Sequence, residues 1–478
     1  MGRAFLMGET IPLDLGVQSS PGRYGPDGGA RLINCFAQQA DASARAKFPI
    51  YPFEGFELFA NLVGGGNARG AISLGNYGYV VSGPLVFKVD IAGGVTQIGS
   101  FPGTGQVFMA RNRKSPNPDI MIVSEGQRYI LNNDVLTSIA DTDLPAANSV
   151  TFNGGYFIAT IQDGRYFISA VDDGTTWDAL DFATAEALAD ELMCGYARGR
   201  EVVLFSSESI EFHALTGASP FPFEATPGTT VRNLGLLCQH SVRDLSDVLF
   251  FVASDGTVRN LPGYEPVRIS THDVELAIDS VEDKSTIVAT AYPWLGNQFY
   301  QISCPQWTWT YNALTQTWVE RASYGLDRWR GEHFIKIGQN RIVGDYSEGR
   351  LYRLDVALFE EAGEHLVMKW RPPPVHKYPN PIGIDRLFVD CIPGVGKITG
   401  PSEDVDPLVM CRWSDDSGKT WSNEMWAPIG PQGAFSTRAV FDSLGQTNED
   451  GRLFEIIVSA SVARGITGAS ADVEVLEV

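Results

Sequence analysis

Ser209 to Val242 reads SIEFHALTGASPFPFEATPGTTVRNLGLLCQHSV, and its texture sets the fold class. It opens as an alternating strand, with Ile210, Phe212 and Ala214 on one face and Glu211 and His213 on the other. Leu215-Thr216-Gly217-Ala218 ends the strand, and Pro220, Pro222 and Pro227 keep the next residues extended and irregular. An apolar loop of this length carries Phe221 and Phe223, then Leu234, Leu236 and Leu237, and must bury them. It packs either on the rest of its own domain or on a neighbouring subunit.

On both sides of this stretch the same phrase recurs, short alternating strands parted by Gly, Asp or Asn turns. It is read at 71–89, 120–131, 156–170, 202–215, 248–261, 299–319 and 334–354. The phrases begin roughly 35–50 residues apart, the period of propeller blades. Apolar alternation such as Tyr166, Ile168 and Ala170 then packs one blade on the next. The expectation is an all-β chain with a β-propeller-like body carrying inserted loops over 51–356, a sandwich array being the second choice.

Residues 1–50, with Ser20-Pro21-Gly22 and Gly25-Pro26-Asp27-Gly28-Gly29, read as an extended N-terminal arm, loose or pinned to a neighbour. Residues 183–197, ATAEALADELMCGYA, break the β rhythm. Leu188 and Leu192 are spaced there for a short amphipathic helix. Arg371-Pro372-Pro373-Pro374 and Pro379-Asn380-Pro381 make 357–383 a stiff Pro-rich connector. From 384 to 478 the pattern is that of a C-terminal β-sandwich domain.

Composition agrees with a folded, turn-rich β protein: 50 Gly, 27 Pro and 11% aromatics within 44% hydrophobic residues. Fifty-seven acidic against 36 basic residues give a net charge of -21. Such a surface repels phosphates, which argues against sequence-specific DNA binding but not against a duplex sliding past a non-adhesive wall. The 6 cysteines are scattered without C-x-x-C or zinc spacing and read as buried thiols from a reducing compartment. The opening MGRAFLMGETIPLDLG lacks a secretory pattern, and the most apolar run, Val248 to Ala253, is far too short to be a membrane-spanning segment. The expected place of synthesis is a cytoplasm.

Ser414-Asp415-Asp416-Ser417-Gly418-Lys419-Thr420-Trp421 matches the Asp-box S-x-D-x-G-x-T-W at each defined position. An imperfect second copy ends at Trp177, with Asp172, Gly174 and Thr176 in place and Ala170 where Ser belongs. In such a hairpin the carboxylate accepts backbone N–H bonds, Gly supplies a positive φ and Trp folds over the strand. These boxes resemble those of sialidases, where they brace turns away from the active site. Trp307, Trp309 and Tyr311 share one strand face, suited to sugar rings or bases, or to packing between blades. Arg328, Trp329 and Arg330 form a small basic-aromatic patch that meets an acidic neighbour or lies in a solvated loop. The 6 histidines show no H-E-x-x-H, and Gly64-Gly65-Gly66 lacks the Lys of a phosphate cradle. No catalytic residue, metal ligand or cofactor is assigned.

The string Ile210, Glu211, Phe212, Ala214, Leu215, Thr216, Gly217, Ala218 resembles the tail-hub, or nozzle, proteins of short-tailed podophages, also called packaged DNA stabilisation proteins. Gly235, the strand pattern at Val248 to Ala253, Asn34 to Ala37 and Phe53-Glu54-Gly55-Phe56 extend the resemblance. It implies a non-enzymatic virion protein present as a homohexameric ring that extends the portal and adaptor channel. The implied partners are the tail adaptor, a needle or plug, tailspikes or fibres, and genomic double-stranded DNA passing through without sequence-specific binding. The implied location is the virion tail, after synthesis in the host bacterial cytoplasm. Within that frame Phe221, Phe223, Leu234, Leu236 and Leu237 are the candidate subunit or adaptor interface. The rival expectation is a carbohydrate-binding or glycan-cleaving propeller carried on a virion.

Overall fold

The computed structural model describes residues 9–22, 28–41, 43–44 and 46–476. Gly25-Pro26-Asp27 of the Gly/Pro lead, with the chain's first 8 residues, lies outside the described residues. The chain forms two compact units: 58–305 with 330–353, and 1–57 with 306–329 and 354–478.

In the first of these units tight turns let each strand pair with the next. Asn133-Asp134, with φ of 47° and 61°, joins strand Gln127–Asn132 to Val135–Ser138. Ser246-Asp247, with φ of 56° and 66°, does the same between Arg243–Leu245 and Val248–Val252. Two successive left-handed residues are what a two-residue hairpin needs, and Asn, Asp and Ser tolerate them. The products are antiparallel sheets, four-stranded over 68–100, 108–138, 149–184 and 243–268 and five-stranded over 192–232. The hairpin 288–304 and the meander 331–355 come next.

The first strand of each sheet starts at residue 68, 108, 149, 192, 243, 288 or 331, close to the period read from the sequence. These strands touch in succession except between the fourth and fifth, and the last, Gly331–Ile337, packs against the first, Ala68–Leu74. Between the fourth and fifth sheets the 3-10 turn Gln239–Ser241 intervenes. There the Gln239 amide donates to the Met193 carbonyl (2.8 Å), and the Tyr300 hydroxyl donates to that of Ser241 (2.8 Å). The result is a closed ring of seven sheets among the described residues, a β-propeller.

Its core is distributed between sheet faces. Tyr79, Val81, Phe101 and Ile120 fill one joint, Val123, Phe157 and Trp177 the next, and Val80, Phe87, Ile335 and Ile342 the one that closes the ring. Each buried aliphatic or aromatic side chain contributes about 1.5–3 kcal/mol. No single joint therefore carries the unit.

Residues 183–197 are not helical, which corrects the expected amphipathic helix. Asp173–Thr184 is a strand, 185–191 is irregular, and Leu192–Arg198 is the first strand of the fourth sheet. Leu192 and Cys194 are both fully buried, so a period of two prevails over the spacing of Leu188 and Leu192. The helix of this unit is His272–Ser280, which buries Val274 and Ile278 and was not anticipated.

The other unit is woven from distant segments. One sheet runs Trp307–Asn312, Thr317–Glu320, Arg31–Ile33, Met368–Arg371, Leu453–Val458, Leu408–Ser414 and Met425–Pro428. A second runs Cys35–Ala37, Ile50–Pro52, Ile466–Val475, Ile382–Cys391 and Ala439–Gln446, with Glu9–Pro12 also pairing along Ile466–Val475. Met368–Arg371 is thus a strand inside the Pro-rich stretch, with Trp370 buried and its indole N–H donating to the Leu15 carbonyl at 2.7 Å.

Candidate functional site

The family-like string around residue 210 explains itself once folded. Both faces of Ser209–Leu215 are covered, so Glu211 and His213 lie buried rather than facing water. The Tyr166 hydroxyl meets His213 Nδ1 at 2.8 Å, and His213 Nε2 meets Glu211 Oε2 at 3.3 Å. Glu211 Oε1 accepts the Ala187 backbone N–H at 2.8 Å and so ties down the irregular segment 185–191. Full burial of Tyr166 leaves this Tyr-His-Glu chain without access for a substrate, and its role is to hold one loop. Gly235 is required for space: a Cβ there would stand 2.3 Å from the Ser206 carbonyl oxygen.

The apolar loop after this strand buries against its own domain. Phe223 packs with Ile158, Tyr166, Leu192 and Leu204, and Phe221 stacks edge-on to Tyr166 at 5.6 Å. Leu236 belongs to the core between the fourth and fifth sheets, with Leu234 against it. The Leu236 amide donates to the Ser206 carbonyl (2.8 Å) and that of Leu237 to the Val252 carbonyl (3.0 Å), which stitches the two sheets together. Phe223 and Leu236 are therefore core residues. Phe221, Leu234 and Leu237 keep partial exposure.

The two turns differ. At the first, Ser414 Oγ donates to Asp416 Oδ1 (2.7 Å), and the Thr420 amide and hydroxyl donate to the same carboxylate (2.8 and 2.6 Å). Those Thr420 and Ser414 bonds hold the Asp416 carboxyl well below the usual carboxylate range. Gly418 takes φ of 89°. Trp421 lies between the guanidinium groups of Arg371 (4.7 Å) and Arg412 (4.8 Å), which share Glu455.

At the second turn the bracing carboxylate belongs to Asp173 and not to Asp172. Asp173 accepts from the Thr175 amide (2.9 Å) and hydroxyl (2.6 Å) and from the Thr176 hydroxyl (2.9 Å). Asp172 occupies the left-handed position, φ 52°, and gives its carbonyl to Asn112. Gly174 does not use a positive φ; a Cβ there would meet Ile130 at 2.5 Å and Phe157 at 2.9 Å. Trp177 folds inward, its indole N–H on the Gly174 carbonyl at 3.0 Å.

The aromatic ladder is packed away: Trp309 and Tyr311 are buried, and only Trp307 is partly exposed. The basic-aromatic patch is not a surface either. Trp329 is fully buried, donates to Glu361 at 2.9 Å and stacks on the Arg321 guanidinium at 3.9 Å; Arg328 is buried too. Cys35, Cys194, Cys238, Cys304 and Cys411 are buried and Cys391 half-buried, all as free thiols. Burial pushes the Cys194, Cys238, Cys391 and Cys411 thiols up to about 12, so they are unreactive. No helix among the described residues is long and apolar enough to cross a membrane.

What the sequence did not disclose is the axial cavity of the sheet ring. The first strands of all seven sheets, with His240, enclose about 480 Å³ lined by Ala71, Arg111, Tyr196, Arg243, Thr290 and His333 among others. His240 stacks on Phe108 with ring centres 4.6 Å apart. Burial, then the nearby Arg243, pushes its imidazole down to about 3, so it is neutral at pH 7. His333 Nε2 meets Gln106 Oε1 at 2.7 Å. These strands are short or carry polar side chains, and no apolar alternation announces them.

The family described as "Bacteriophage P22 Gp10, beta-propeller" matches residues 30–358, and "Bacteriophage P22 Gp10, beta-sandwich" matches residues 377–474. No curated protein matches the chain. Similar solved structures include the WD40 beta propeller domain of Doa1, at 10% identity and TM-score 0.41 over 64% of this chain and 98% of that one. Virginiamycin B lyase from Staphylococcus aureus gives 10% identity and TM-score 0.44 over 62% and 97%. Matched over both its propeller and its sandwich, the chain belongs to the bacteriophage P22 Gp10 family, a phage tail-hub and DNA-stabilisation family.

Proposed function

We propose that this chain is a structural component of a short phage tail that assembles as a six-copy ring below the portal and adaptor. The ring retains the packaged DNA and conducts it during ejection. The observation that carries this reading is the joint match of 30–358 and 377–474 to the P22 Gp10 family.

Size supports a path between copies rather than through one. The axial cavity holds about 480 Å³. One turn of a duplex has a major groove alone ~12 Å wide and ~8.5 Å deep over ~34 Å, several times that volume. A net charge of -21 suits a wall on which phosphates do not stick. In a closed ring each copy offers two different faces, and repetition turns a weak contact into a stable assembly. The expected partners are the adaptor, a needle or plug, and tailspikes or fibres, with synthesis in the host bacterial cytoplasm and no enzymatic step. Phe221, Leu234 and Leu237 retain surface for such contacts. A glycan-binding role would need an open aromatic platform, and the strand Trp307–Asn312 offers only the partly exposed Trp307.

The test is copy number and position. Particles are purified, the chain is quantified against the portal by mass spectrometry, and tails are imaged. About six copies in an axial ring is the expected result; copies on peripheral appendages, or none, overturn the reading.

A further inference from the structure

Fully buried arginines elsewhere in this chain bond a carboxylate or, for Arg69 and Arg464, two or more backbone carbonyls. Arg321 pairs with Glu54 at 3.2 Å, Arg452 with Asp415 at 2.7 Å, and Arg69 donates to the carbonyls of Gly105, Gly83 and Phe101. Arg243 departs from this pattern. It lines the axial cavity, half-buried, and its hydrogen bond within the chain runs from Nη1 to the adjacent Val242 carbonyl at 2.7 Å. No carboxylate of the described residues lies within ion-pair distance of it, and Glu332 acts on it only at longer range. Burial lowers its pKa, partly offset by Tyr196 and Tyr300, but a guanidinium stays charged in either case. A partly desolvated cation with no counter-charge is costly unless something supplies one.

The rest of the lining holds one more cation, one carboxylate and two imidazoles, that of His240 neutral at pH 7. Arg111, more exposed, also lines it without a carboxylate partner, and His240 and His333 add ring nitrogens. Tyr196 lines it too, and Asp244, its one carboxylate, is solvent-exposed. A cationic pocket inside a chain of net charge -21 is a local reversal, and low-dielectric walls focus its field.

We propose that the axial cavity of the sheet ring binds a small anion of the phosphate or carboxylate class, with Arg243 as its principal ligand and Arg111 as the second. The volume, about 480 Å³, falls in the ordinary range of small-molecule sites. Arg243 keeps its fork of donors for a planar or tetrahedral oxyanion, the geometry a guanidinium matches best.

The full chain is titrated calorimetrically with inorganic phosphate and, separately, with citrate, at constant ionic strength set by sodium chloride. Saturable binding of at least one is expected; phosphate alone or citrate alone assigns the class. Arg243→Gln should weaken that binding by about tenfold or more, the value of a charge-assisted bond. Arg111→Gln should weaken it by a smaller factor, and it decides the matter if the Arg243 variant does not fold. Heats no larger than those of chloride overturn the proposal. So does binding that the foldable variants leave unchanged.

Discussion

In the sheet ring Leu192–Arg198, Glu201–Ser206 and Ser209–Leu215 follow one another and pair in that order. In the woven unit Glu9–Pro12 pairs with Ile466–Val475, and Arg31–Ile33 sits between Thr317–Glu320 and Met368–Arg371. The ring thus gains its strand pairings by closing short loops, while the woven unit joins its local hairpins into sheets only by closing loops of tens to hundreds of residues. Loop entropy rises slowly with length, but non-local pairings form late and stand or fall together. Damage in the ring should therefore stay near its joint, and damage in the woven unit should spread.

Two substitutions of similar and largest cost test this. Phe223→Ala, between the third and fourth sheets, should cost about 3–5 kcal/mol. Arg321→Ala should cost about 3–5 kcal/mol by breaking the buried ion pair with Glu54 and unstacking Trp329. Hydrogen exchange separates them. The first should raise exchange within 149–225, and the second across strands 31–33, 317–320, 368–371 and 453–458 together. Spreading in the ring, or containment in the woven unit, would contradict this contrast.

Gly235→Ala should cost about 1–3 kcal/mol, read by chemical denaturation, because backbone at Ser206 to Glu208 must move. Smaller again is the turn: Asp173→Ala should cost about 0.5–1.5 kcal/mol by the same measurement, with Asp172→Asn near zero.

The last effect vanishes at neutral pH. His240 titrates near 3 when folded against 6.5 ordinarily, so between those values the unfolded chain binds the extra proton. Stability should fall as pH drops from about 6.5 towards 3, and His240→Phe should flatten that slope in thermal melts.

Legibility followed the same division. Alternation exposed the middle strands of each sheet, such as Tyr156–Thr160 with Arg165–Ala170, because their side chains are buried on successive joints. It missed Phe108–Arg111 and Arg243–Leu245, whose side chains face a cavity as well as a core. The Asp416 turn was readable because every bond in it is local. Asp173 was misassigned to its neighbour because a one-residue offset along a turn changes which carboxylate points inward.

The all-β class, the sheet period, the family and the Asp416 turn were all present in the order of residues, since each rests on contacts between positions close in the chain. Folding in three dimensions added that Glu211 and His213 are buried, that Phe223 and Leu236 serve the core, and that Arg243 faces a cavity without a counter-ion. Those properties belong to neighbours brought together by ring closure, and a pattern of period two records that a side chain alternates but not what stands opposite it.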